Sequence, residues 1–130
     1  MKILVGYDGS VVAGEALVLA IEHAKAFDAE VHVVTSIVEG TEKQKQRILE
    51  AEGGLEYAKG LFAKKNIPCE THLLIRGLSP GEDLVQFAKE KSVDEIIMGV
   101  KKRSKVGKLL MGSVAQYVIL DAPCPVVVIR

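Results

Sequence analysis

Apolar positions along this chain follow two periods, and the switches between them mark nine elements. Residues 2–7 (KILVGY) form a short apolar run closed by Asp8-Gly9-Ser10, the pattern of a strand entering a helix-starting turn. From Ala13 onward, apolar residues recur at Ala16, Leu17, Ala20, Ile21, Ala24 and Phe27, one face of a 3.6-residue period, which predicts an amphipathic helix. Glu30–Val38 is β-branched and bounded by polar residues, so a second strand is expected there. Residues 41–66 carry Ile48, Ala51, Leu55, Ala58 and Phe62 at steps of three and four, a long helix. Gly53, Gly54 and Gly60 each cost it about 1 kcal/mol relative to alanine, and a break or mobility is expected near Gly53.

A turn at Pro68 leads to a third strand, Glu70–Ile75. Ser79 is then placed as an N-cap, Pro80 at the first helical position, and Glu82 and Asp83 in the first turn, where the helix dipole favours acids. Asp94–Gly99 reads as a fourth strand, a helix begins near Gly112, and Pro125–Ile129 is a fifth strand. Strict alternation of strand and helix implies a doubly wound α/β fold, a parallel sheet covered on both faces with right-handed crossovers. Ligands of such sheets bind beyond the carboxyl ends of the strands, where strand order reverses. Asp8, Ser36, Arg76 and Gly99 occupy those ends.

Composition narrows the function classes. Residues 1–130 are expected to form one domain. With 17 basic and 17 acidic residues the chain lacks the overall positive field of a nucleic-acid-binding protein, so an anion site must be local. No apolar run is long enough to span a bilayer, and Ile3, Leu4 and Val5 are too few for a secretory signal, so a cytoplasmic location with no membrane partner is expected. Cys69 and Cys124 lack C-x-x-C spacing and read as buried packing residues.

Local positive charge is concentrated at Lys101, Lys102, Arg103, Lys105 and Lys108, between Gly99 and Gly112. Such a loop suits nucleotide phosphates, a nucleic-acid backbone or solvent; it contains no aromatic residue for base stacking, which disfavours nucleic acid. The helix start at Gly112-Ser113 offers unpaired N–H groups and a hydroxyl, a ready anion site. Gly99, lacking a side chain, lets a ligand approach the backbone. Asp8 suits a ribose, a cation or a helix cap, and Ser10 is better placed as the cap.

Several families are excluded by spacing. The glycines at 6, 9 and 14 do not make G-x-G-x-x-G, and there is no phosphate-binding G-x-x-x-x-G-K-[ST]. Ile75 and Arg76 stand where a receiver domain would want an aspartate. His32 and His72 fall early in adjacent elements and are candidate neighbours across the sheet, on the side away from the ligand end; packing or surface positions are the default reading and a metal pair the alternative. No nucleophile and base pair occurs at the strand ends, so efficient catalysis is not expected, slow ATP hydrolysis at most.

The element order, Asp8 after the first strand and above all residues 98–130, MGVKKRSKVGKLLMGSVAQYVILDAPCPVVVIR, resemble the universal stress protein family over essentially the whole chain. The resemblance implies strand order 3-2-1-4-5, homodimers paired through the fifth strand (Pro125–Ile129), and, in one branch, ATP or AMP binding. That branch resembles G-x2-G-x9-G-[ST]; Gly99, Gly112 and Ser113 keep its frame, but its second glycine is Lys102 here. A lysine there either blocks the phosphates or replaces backbone donors with an ammonium.

By matching position, Asp8 would contact ribose or a nucleotide-bound Mg, and Ser36 would border adenine through its backbone, with Tyr7 and Val34 beside the base. Met98, Gly99, Lys102, Arg103, Gly112, Ser113 and Val114 would line the phosphate side. The implied function is an adenine-nucleotide-binding stress or signalling protein. The alternative is a dimeric interaction protein with Lys102 in the phosphate position. In the implied order, Cys69 and Cys124 stand at opposite edges, four strand spacings or about 19 Å apart, too far for a disulfide within one subunit.

Overall fold

The structure, a computed structural model, describes residues 1–38, 44–101 and 112–130. Its elements run β1 (Lys2–Gly6), α1 (Val11–Phe27), β2 (Glu30–Ser36), α2 (Gln44–Lys64), β3 (Cys69–Leu74), α3 (Pro80–Glu90), β4 (Glu95–Gly99), α4 (Ser113–Asp121) and β5 (Val126–Ile129). All five strands are parallel, in the order β3-β2-β1-β4-β5. The chain winds outward from β1 to β3, then returns to β1's other side, so the switch point lies between β1 and β4.

Alternation of side chains divides the core into two layers. Ile3, Val5, Val31, Val33 and Ile97 pack under α1 and α2, against Leu17, Leu55 and Phe62. Leu4, Val34, Ile96 and Met98 pack on the opposite face under α3 and α4, against Leu84, Phe87 and Val118. Burial of both strand faces explains why the strands read as continuous apolar runs.

Some expectations are corrected. Phe27, on the expected buried face of α1, is 56% exposed. It is the last residue of α1, before left-handed Asp28, and there meets the His23 ring edge-on. Helix α2 runs unbroken through Gly53, because Leu55, Ala58 and Phe62 bury the same face on either side of Gly60. Ser79 is the N-cap residue of α3 as expected, but its hydroxyl makes no capping bond and donates instead to Glu82 Oε1 at 2.6 Å. Cys69 and Cys124 are half-buried rather than buried, and both are free thiols. Partial burial still pushes the Cys69 thiol up to about 11.

Gly99 owes its identity to packing. A Cβ there would lie 2.7 Å from the Val12 carbonyl carbon and oxygen, so glycine allows the first turn of α1 to rest against the end of β4. That contact brings α1 to the edge of the crevice. Gly9, at φ +82, supplies the left-handed residue that turns β1 into α1.

Candidate ligand-binding cleft

The carboxyl ends of β1, β2 and β4 open into a cleft with two lobes, of about 400 and 480 Å³, which share Tyr7, Asp8, Thr35, Ser36 and Arg47. These volumes lie in the range of small-molecule sites, roughly 300 to 1,000 Å³. Its geometry starts at the exit of β1. The Tyr7 N–H donates to the Val34 carbonyl at 2.9 Å, and Thr35 Oγ1 donates to the Tyr7 carbonyl at 2.7 Å, which ties the two strand ends together. Asp8 Oδ1 accepts from the Ser10 N–H at 3.0 Å, while Ser10 Oγ caps α1 by accepting from the Ala13 N–H at 3.2 Å. Ser10, not Asp8, is therefore the cap, and the exposed Asp8 carboxylate is held at the cleft mouth by one oxygen.

The Ser36 hydroxyl is engaged within the protein. It donates to Asp83 Oδ2 at 2.7 Å, and Asp83 is fully buried. Arg76 compensates that charge, with Nε 2.7 Å and Nη2 2.6 Å from Asp83 Oδ1, and reaches Glu90 through Nη1 at 2.7 Å. A strand-end residue that faced the ligand side in the sequence is thus committed to holding α3 against β2. Tyr7 keeps its proton over a wider range than usual because burial raises its pKa, aided by the neighbouring Tyr57 and Asp8. Its ring lies against Gly54 of α2, where a Cβ would stand 3.1 Å from Tyr7 Cε2.

The smaller lobe brings together Tyr7, Asp8, Val34, Ser36, Met98, Gly99, Gly112, Ser113 and Val114 from four separate parts of the chain. Lys102 and Arg103, with Lys105 and Lys108, lie outside the described residues. Gly112 is the N-cap of α4, with φ −69 and ψ 167, and a Cβ on it would meet nothing within 4 Å among the described residues. Lys101 adds a cation at the same lobe, and Leu84 and Val100 add apolar wall.

Arg47 was not anticipated. It lines both lobes from the first turn of α2, and Ala51 and Gly54, four and seven residues on, continue its face along the larger lobe. The same helical spacing was present in the sequence, but the apolar stripe drew attention to Ile48, one position round. His32 and His72 are neighbours as expected, with His32 Nδ1 hydrogen-bonded to His72 Nε2 at 3.0 Å, but they do not lie at the amino ends of their strands: His72 pairs in register with Val34 of the cleft wall.

Cations, an exposed carboxylate, a helix amino terminus and apolar walls thus line one crevice of a doubly wound α/β fold. The chain belongs to the universal stress protein family, whose model matches residues 1–130. A universal stress protein of Methanocaldococcus jannaschii is 34% identical over 140 aligned positions, covering 99% of this chain and 81% of the relative. A universal stress protein structure from Archaeoglobus fulgidus superposes with a TM-score of 0.88 at 36% identity, covering 100% of this chain and 93% of that one. Another from the same organism, in complex with dAMP, gives 0.85 at 35% identity, covering 100% and 98%.

Proposed function

We propose that this protein binds an adenine nucleotide, AMP or ATP, in the cleft and serves as a stress or signalling protein without efficient catalysis. The observation that carries this reading is the meeting of Asp8, Ser36, Gly99 and Gly112-Ser113 at one crevice of nucleotide-compatible volume. The base lies between Tyr7, Val34 and the Ser36 backbone, the ribose meets Asp8, and the phosphates meet the amino end of α4. The dAMP complex of a relative 35% identical to this chain supports the same ligand class. Asp8 suits an Mg ion carried by the phosphates, since Mg is commonly held by one or two carboxylates plus phosphate oxygens. The protein works in the cytoplasm as a homodimer joined through Pro125–Ile129; among the described residues no helix is long and apolar enough to cross a membrane.

Mass spectrometry of gently purified protein should find AMP or ATP, and calorimetry should measure its rebinding; failure of both would end the reading. Gly112→Val is the sharper test. Its backbone angles suit a β-branched residue and its Cβ meets none of the described residues, while the side chain enters the space assigned to phosphate; a thermal midpoint like the parent's confirms that the variant folds. Affinity should fall at least tenfold, and unchanged affinity would refute the placement. The second reading rests on Lys102 at the expected glycine position. If its ammonium takes the place of phosphate, the parent binds no nucleotide and Lys102→Gly creates binding.

A further inference from the structure

At the β3 edge of the sheet, on the face covered by α3, three potential ligand atoms converge on one point. His32 lies on β2 and pairs in register with Glu70 on the edge strand β3, while His72, two residues further, projects on the same face. His32 Nδ1 is 3.0 Å from His72 Nε2 and 3.4 Å from Glu70 Oε2; His72 Nε2 is 3.7 Å from Glu70 Oε2. Tetrahedral ligands about 2.0–2.1 Å from zinc stand about 3.3–3.4 Å from one another, which is close to the size of this triangle. Phe87 of α3 packs against both imidazoles, at ring-centroid distances of 6.0 and 4.7 Å, and limits their rotation. The Glu70 side chain is 67% exposed, so the fourth coordination position opens toward water.

The other nitrogen of the buried His32 ring has its own environment. His32 is 4% exposed, and its Nε2 is buried without a hydrogen-bond partner. The bond to His72 cannot cure this. If His32 donates from Nδ1, its Nε2 is a bare acceptor; if His72 donates, Nε2 carries a proton with nothing within bonding distance. A cation on Nδ1 puts the proton on Nε2, the nitrogen on the Glu30 side, 3.7 Å from Glu30 Oε1, an ion-pair separation rather than a hydrogen bond. Orientation of a metal-bound imidazole by a carboxylate on its other nitrogen is the usual supporting arrangement.

We propose that His32, Glu70 and His72 form a binding site for a zinc-class divalent cation, which fastens the edge strand β3 to β2. This site is independent of the nucleotide cleft. The test is calorimetric titration of Zn²⁺ alone into the full chain, stripped of nucleotide, at neutral pH, with the thermal midpoint followed in parallel. One ion should bind per chain and raise the midpoint. His72→Ala and Glu70→Gln should each weaken binding at least tenfold and abolish the midpoint shift. Glu70 is exposed, so its variant leaves the fold intact should His72→Ala disturb it. Glu30→Gln should weaken binding roughly tenfold. Asp8→Asn and His23→Gln should leave it unchanged. Absence of zinc binding, binding that survives Glu70→Gln, or binding lost in Asp8→Asn or His23→Gln would overturn the proposal.

Discussion

Gly99 and Gly112 both border the cleft, yet their missing side chains answer to different neighbours. At Gly99 the neighbour is the chain itself: a Cβ would stand 2.7 Å from the Val12 backbone, and backbone cannot rotate out of the way. Gly99→Ala should therefore cost about 1–3 kcal/mol, the range of overpacking, read as a lower midpoint in urea denaturation with unchanged slope. A stability equal to the parent would mean that α1 moves off β4 without loss. At Gly112 a Cβ would meet none of the described residues, which makes the valine variant a test of ligand placement. A one-dimensional pattern shows two glycines at strand and helix ends; it does not show that α1 presses on the first.

At the scale of elements, α3 is held by a buried charge pair that local pattern could not reveal. Asp83 is a first-turn acid by position, and the helix dipole explains an acid there. Its full burial and its pairing with Arg76 depend on β3 delivering Arg76 beside α3. Removing the charge leaves Arg76 facing a neutral amide and the Ser36 hydroxyl without its carboxylate. Asp83→Asn should destabilise by about 3 kcal/mol, the lower end for breaking a buried pair, because Arg76 keeps some contact with water. Thermal denaturation measures this, and a loss below about 1 kcal/mol would show that the pair contributes little. Helix α2 illustrates the opposite balance. Three glycines cost it roughly 3 kcal/mol together, but burial of Leu55 and Phe62 contributes roughly 1.5–3 kcal/mol each, so packing outweighs propensity and the helix continues.

For the whole molecule, the open question is the edge at β5. Its four residues are half-buried, each with one face on the core, and Leu120 and Ile119 of the preceding α4 are 81% and 40% exposed. An unpaired strand edge beside apolar surface is a template for pairing with a second copy. Sedimentation should give twice the chain mass at micromolar concentration. Pairing of two β5 strands also brings the two Cys124 residues toward each other, so mild oxidation should yield a cross-linked dimer on non-reducing electrophoresis that Cys124→Ser abolishes. A monomeric mass throughout would refute the interface.

Period alone decided which segments became strands and helices, because burying one face of each element is a local requirement written every two or 3.6 residues. The same local logic made Asp8, Ser36, Gly99 and Gly112-Ser113 visible, since a doubly wound sheet assigns ligand contact to the ends of particular strands. Pattern could not say which side chains would be consumed inside the protein. Arg76 became a brace for Asp83, Arg47 became part of the cleft wall, and one nitrogen of His32 was left unmet. Those outcomes are set by contacts between residues many positions apart, and distance along the chain carries no record of distance in space until the sheet is assembled.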